Sequence, residues 1–208
     1  MTGTRMIHDD QRRRAERGFT LVEALVAAFL LVLLAGLAMP SFIRFTQNLK
    51  FEGATRAIAS DLRLTQSLAV SRGQRYRLVF SGSALSASPA ITYQMQVDQG
   101  TAGSPNWQLA NGVIPNNQRN ISADYPGIRI DGRAGAPSAQ VAGLTIDKAQ
   151  TFSGLVATLT IRGLADGIGT VYLMNTQGDM LAVTLSPTAS VAILRYSSRD
   201  TAGTWSPL

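Results

Sequence analysis

Residues 17–40 read RGFTLVEALVAAFLLVLLAGLAMP. From Phe19 to Met39 there are 21 residues and a single charge, Glu23. About 20 apolar residues in a helix match the thickness of a bilayer's hydrocarbon core, so the stretch is long enough to span one. A charge inside such a segment costs roughly 2.5–3.5 kcal/mol on insertion scales. Either Glu23 rests at headgroup level beside the basic residues that precede it, or something compensates it inside the membrane.

The bulk properties fit one such helix and one modest domain. The chain has 208 residues, no cysteine and one histidine, His8, which lies before the apolar run. Without cysteine there is no disulfide framework, thiolate metal site or cysteine nucleophile. A lone histidine ahead of the apolar run argues against histidine-based catalysis or a zinc site, and no cofactor is implied. The net charge is +6; residues 1–18 hold five arginines and three acids, leaving 14 basic and 10 acidic residues, or +4, in the rest. That balance suits an ordinary soluble domain, and equally a surface that attracts nucleic acid or anionic lipid.

Three readings compete for the N-terminal segment. A secretory signal has an apolar core of roughly 7–15 residues before a small-residue cleavage site; Ala35, Gly36 and Ala38 offer the site, but the run is too long and contains Glu23. A signal anchor explains the flank Arg12, Arg13, Arg14 and Arg17 as the cytoplasmic side, and leaves Glu23 unexplained. The third reading rests on Gly18-Phe19-Thr20-Leu21-Val22-Glu23, which resembles the leader junction of type IV prepilins and type II secretion pseudopilins. The resemblance implies cleavage after Gly18 by a prepilin peptidase/methyltransferase, N-methylation of Phe19, and Glu23 as the fifth mature residue. It also implies that Glu23 pairs with the new terminal amine of a neighbouring subunit, an attraction that grows as water is excluded. Pro40 matches a proline near the end of the family's segment and is expected to bend or locally unwind the helix.

Helical periodicity continues beyond Pro40. Ala54, Ile58, Leu62 and Ala69 share one face, and Arg56, Ser60, Arg63 and Ser67 another. Ser71-Arg72-Gly73 supplies the stop, with glycine suited to the left-handed cap; Gly53 is a second soft point. Strand signals follow at 75–80, 91–97 and 127–130, the last inside a Gly-, Pro-, Asn- and Ser-rich stretch. Four more, at 155–161, 169–174, 180–185 and 190–196, suggest one antiparallel meander with turns at 165–167 and 177–179. The end of the chain is expected to fray unless Trp205 docks. The expected organisation is residues 1–18 as leader, 19–40 as the transmembrane and assembly half of the helix, 41–73 as its amphipathic half, and 74–208 as a β-rich domain. That is α+β, and by resemblance the pilin fold: a long N-terminal α-helix packed on an antiparallel β-sheet.

Two further blocks, 66–80 and 160–196, are similar to the GspH/FimT group of minor pilins and pseudopilins. In FimT-like members a G-R-x-R element in the last strands is associated with DNA; the equivalent place here, near residues 189–192, lacks it. Arg195 and Arg199 follow it and are candidates for phosphate contact. The alternative is a solvated edge strand. Arg72, Arg75 and Arg77 form the densest basic cluster after the leader, either a backbone-tracking strip or charge protecting an edge strand. The resemblance implies a non-enzymatic minor (pseudo)pilin of a type IV pilus or type II secretion pseudopilus. Its implied partners are other pilins or pseudopilins and the inner-membrane assembly platform, with DNA as an alternative ligand. The chain is expected first as a single-pass inner-membrane protein with its C-terminal domain outside the cytoplasm, then in the filament. An enzyme would need a nucleophile with a base or paired carboxylates; Asp166 and Asp179 are the nearest approach to such a pair, in adjacent turns that explain both. A plain anchored binding module is the remaining class.

Overall fold

The computed structural model of the chain describes residues 20–85, 90–101, 103–114, 117–140, 144–197 and 203–208. The chain divides into two units, residues 1–46 and 47–208. Helix α1 (Leu21–Arg72) contributes to both. In the first unit its backbone stays α-helical across Pro40, and the large apolar side chains from Leu21 to Phe45 are exposed.

In the second unit the same helix acquires a buried face. Phe51, Ala54, Ile58, Ala59, Leu62 and Ala69 are sealed, while Arg56, Ser60, Arg63 and Ser67 are exposed, as expected from the 3.6-residue period. The helix ends at Arg72 because Gly73 takes φ +62°, a conformation that costs glycine nothing sterically.

Among the described residues the strands form two antiparallel sheets. The first has the order β3 (Trp107–Leu109), β2 (Tyr93–Asp98), β1 (Tyr76–Phe80) and β6 (Val156–Leu159), with β4 (Gln118–Arg119) also on β2. The second runs β10 (Thr204–Pro207), β9 (Val191–Ser197), β8 (Met180–Leu185), β7 (Gly169–Asn175) and β5 (Ile128–Ile130). A short helix α2 (Ile121–Asp124), capped by the Asn120 side chain, lies between β4 and β5. The fold is α+β, with two sheets where the periodicity suggested one. The expected four-strand meander is corrected at its first member: β6 pairs Tyr76–Val79 of β1, so residues 160–168 cross between sheets rather than closing a hairpin. Asp166 precedes β7 and Asp179 follows it, so the seven residues of that strand hold the two acids roughly 20 Å apart. They form no pair.

One continuous core joins the helix face to both sheets through Tyr76, Leu78, Phe80, Tyr93, Met95, Leu159, Val171 and Val183. Phe80 stacks on Phe152 with centroids 5.6 Å apart. A Cβ at Gly169 would overlap the Phe152 ring, so a side chain there would displace the stack. The outer face of the second sheet carries a smaller core around Tyr172, Met180 and Ala182. Trp205 docks onto it, 5.8 Å from the Tyr172 ring and 5.2 Å from Tyr196, with its Nε1–H donated to Pro137 O at 2.8 Å. Both cores lie wholly within residues 47–208, so this unit has what it needs to fold by itself.

Candidate functional site

Thr20 caps the apolar helix. Its Oγ1 accepts the Glu23 backbone N–H at 3.2 Å, and its carbonyl accepts that of Ala24 at 3.1 Å. Thr20 and Glu23 therefore stand at the N-cap and N3 positions, the T-x-x-E spacing of a capping box. A carboxylate in this first turn also faces the positive end of the helix dipole. Sequence reasoning misses Thr20, although its spacing from Glu23 is the available signal. Gly18 and Phe19 lie outside the described residues. Beyond Glu23, α1 is long and apolar enough to cross a membrane, and none of its apolar stretch is buried within the chain.

Arg72, Arg75, Arg77 and Arg195 have partners inside the chain. Arg72 donates to the Tyr76 hydroxyl at 3.1 Å. Arg75 binds Asp98 through Nε at 3.0 Å and through a second guanidinium nitrogen. Arg77 donates to Gln96 Oε1 at 2.9 Å and lies 4.0 Å above the Trp107 ring, with Arg75 5.5 Å from the same ring. These are cation–π distances. The strand carrying Arg77 sits between β2 and β6, so edge protection does not explain it. Burial lowers the Arg77 pKa, Asp98 counteracts this, and Arg75 lowers it further. Burial would raise the Asp98 pKa, but the N–H groups of Gly100 and Asn106, at 2.9 and 2.8 Å, together with Arg75, outweigh it and hold the carboxyl below its ordinary value. Arg195 reaches Glu52 at 2.9 Å, a carboxylate it shares with Arg56 at 3.1 Å. Its strand β9 lies between β8 and β10, so it is not an edge. Arg199 lies outside the described residues.

The strongest polar constellation is one that sequence reasoning does not find. Asp61, on the buried face of α1, accepts Tyr93 Oη at 2.8 Å and Arg119 Nε at 3.2 Å; Arg119 also reaches Asp124 at 3.4 Å. Burial, reinforced by Asp61, raises the Tyr93 pKa well above its usual value. Burial would lower that of Arg119, but Asp61 more than offsets this and it rises. The network fastens the helix to β2 and β4.

Comparison with known proteins adds family assignments. The profile described as prokaryotic N-terminal methylation motif matches residues 13–39. The profile described as type II transport protein GspH matches residues 54–189, more than half of the chain. The chain belongs to the GspH family. Among solved structures, two of the minor pseudopilin EpsH from the type 2 secretion system of Vibrio cholerae are similar to this GspH member. Each is 15% identical to it; one has a TM-score of 0.43 over 70% of this chain and 97% of its own, the other 0.45 over 73% and 97%. No curated protein matches.

Proposed function

We propose that this GspH-family chain is a minor pseudopilin stored in the inner membrane and drawn into a type II secretion pseudopilus or a related type IV filament. The observation that carries this reading is an exposed apolar helix beginning with a capped Thr20–Glu23 turn and leading into a domain with its own core. Among the described residues nothing covers the apolar half of the helix, so lipid covers it first and neighbouring subunits afterwards. Processing between Gly18 and Phe19 exposes an amine, which is then methylated. Glu23 of an adjoining subunit neutralises it, and the pairing sets axial register. In this scheme the domain faces away from the cytoplasm, and the chain's partners are the peptidase, other pseudopilins and the assembly platform. Its role is structural rather than catalytic.

Mass spectrometry of the mature N-terminus tests the scheme: a methylated phenylalanine at position 19 is expected. A retained Met1, or cleavage near Ala38, overturns it. Glu23→Ala should leave cleavage and insertion intact while abolishing incorporation into filaments.

A further inference from the structure

A cavity of about 450 Å³ lies between the Gly127–Arg129 backbone and the turn joining β7 to β8. A second, of about 110 Å³, shares its Gly127, Ile128, Asn175 and Thr176 walls and is bounded on the other side by Gln47 and Lys50. Together they make a groove lined by two cations, Arg129 in the larger part and Lys50 in the smaller. Arg129 is held through Nε by the buried Asp131 at 2.7 Å, yet its side chain is 52% exposed, so its charge is both positioned and open to solvent. Lys50 is exposed and forms no ion pair among the described residues. Ile128 and Met174 give the groove apolar walls, and Thr176 offers a hydroxyl.

Hydrogen bonds pin the turn that walls the groove. Asn175 Oδ1 accepts the Gln177 and Asp179 backbone N–H groups, both at 2.9 Å. Gln177 Nε2 donates to Gln47 Oε1 at 2.6 Å and ties the turn to α1. Gln47, which lines the groove, is the first residue of the second unit. Arg44 and Lys50 follow Pro40 with no acid before Glu52. Orientation in a membrane favours cations on the cytoplasmic flank, which is already supplied by Arg12, Arg13, Arg14 and Arg17. Cations on the opposite flank therefore need another use.

We infer that the groove between Lys50 and Arg129 binds the phosphate of an anionic phospholipid headgroup, holding the domain against the bilayer while the subunit awaits assembly. This rests on the storage step proposed above. Phosphate between two cations matches the charge, and the glycerol and upper acyl carbons match the walls of Ile128 and Met174. Each cation near an anionic surface contributes about 1 kcal/mol, roughly fivefold in partitioning.

The test uses residues 47–208, which contain both cores, floated with vesicles of phosphatidylcholine and phosphatidylglycerol or of phosphatidylcholine alone. Binding is expected only to the mixed vesicles and should weaken with salt. Lys50→Glu and Thr176→Glu, both at exposed positions, should each weaken it by about fivefold or more. Arg162→Glu, a charge reversal like Lys50→Glu but outside the groove, should have a clearly smaller effect. Thermal melts confirm that the variants are folded. No binding to mixed vesicles, or equal loss in the Arg162 variant, overturns the site. Since the fragment bypasses processing, that failure would leave a methylated Phe19 result standing, and an unprocessed N-terminus would leave the vesicle result standing.

Discussion

Residues 21–46 and 47–72 are halves of one helix and solve opposite problems. In the first, Leu30 is 51% exposed and Leu37 73%, and the apolar side chains point in all directions. In the second, Ile58 and Leu62 are fully sealed on one stripe while arginines line the other. A helix that is apolar all round must find its covering outside the chain, whereas an amphipathic one finds it inside. The difference separates what assembly decides from what folding decides, and substitutions in the two halves should fail in different assays.

The largest effect is expected where the second half buries a charge. Asp61→Ala leaves the Arg119 guanidinium, whose side chain is 17% exposed, with only its longer 3.4 Å contact to Asp124. Removing one partner of a buried pair typically costs about 3–5 kcal/mol, so residues 47–208 should lose much of their stability in urea titrations. Asp61→Ala combined with Arg119→Met should recover part of the loss, because the guanidinium no longer lacks its counter-charge while the Tyr93 hydroxyl still lacks its acceptor. If the double variant is no more stable than Asp61→Ala, the network is not acting as an ion pair.

Next is a matched pair of leucines. Leu62→Ala leaves a cavity in the shared core and should cost about 2–5 kcal/mol. Leu30→Ala should leave the melting of the domain unchanged and act instead on insertion or filament incorporation. A comparable loss of domain stability from both would erase the contrast between the halves.

That contrast is largely legible in the amino-acid order. The uncharged run with its lone Glu23, the stripe Ala54–Ile58–Leu62–Ala69 and the Gly73 stop are local patterns with a fixed period, so they need no knowledge of the fold. Strand partners are different. Alternation in residues 156–159 reports which side chains are buried, not that β1 rather than β7 lies alongside, so the crossing between sheets stays hidden. Arg75 and Arg77 look like available cations because Asp98 and Trp107 are more than 20 residues away and only the β1–β2–β3 pairing brings them together. Asp61 is invisible for the same reason: its partner Arg119 is 58 residues distant. Glu23 stands out while its Thr20 cap does not, although both lie within one turn, because a charge in an apolar run is conspicuous and a threonine is not.

Tyr93 provides a pH test confined to the second unit. Its hydroxyl donates to Asp61, and its pKa in the folded state lies above the ordinary value of 10.0. Below pH 10 both states keep the proton and the stabilisation is complete. As pH rises further the unfolded chain releases its proton first, so the folded state is progressively disfavoured. Melting temperatures should therefore fall above about pH 10. Tyr93→Phe should cost about 1.5–3 kcal/mol at neutral pH, as expected for a hydrogen bond to a charged group, and should flatten part of that alkaline decline. An unchanged alkaline slope would remove Tyr93 from its cause.

The smallest effects come from two glycines in the second half of the helix and at its end. Gly73 holds φ +62° with open space around it, so Gly73→Ala meets no neighbour and costs only the backbone term for a left-handed residue, about 1–2 kcal/mol. Gly53 is an ordinary helical position, where alanine should gain about 1 kcal/mol from propensity. A Cβ there, however, would come within 3.3 Å of the Tyr125 ring, close enough that the ring must give way. The two terms oppose each other, and Gly53→Ala should fall within about 0.5 kcal/mol of the parent, the range expected of an ordinary surface substitution. Gly36, in the first half, has open space where a Cβ would stand, so Gly36→Ala should take the whole propensity gain as increased helicity in detergent. If Gly53→Ala stabilises the domain by the full amount, Tyr125 yields freely and the second half is less tightly enclosed than its buried stripe implies.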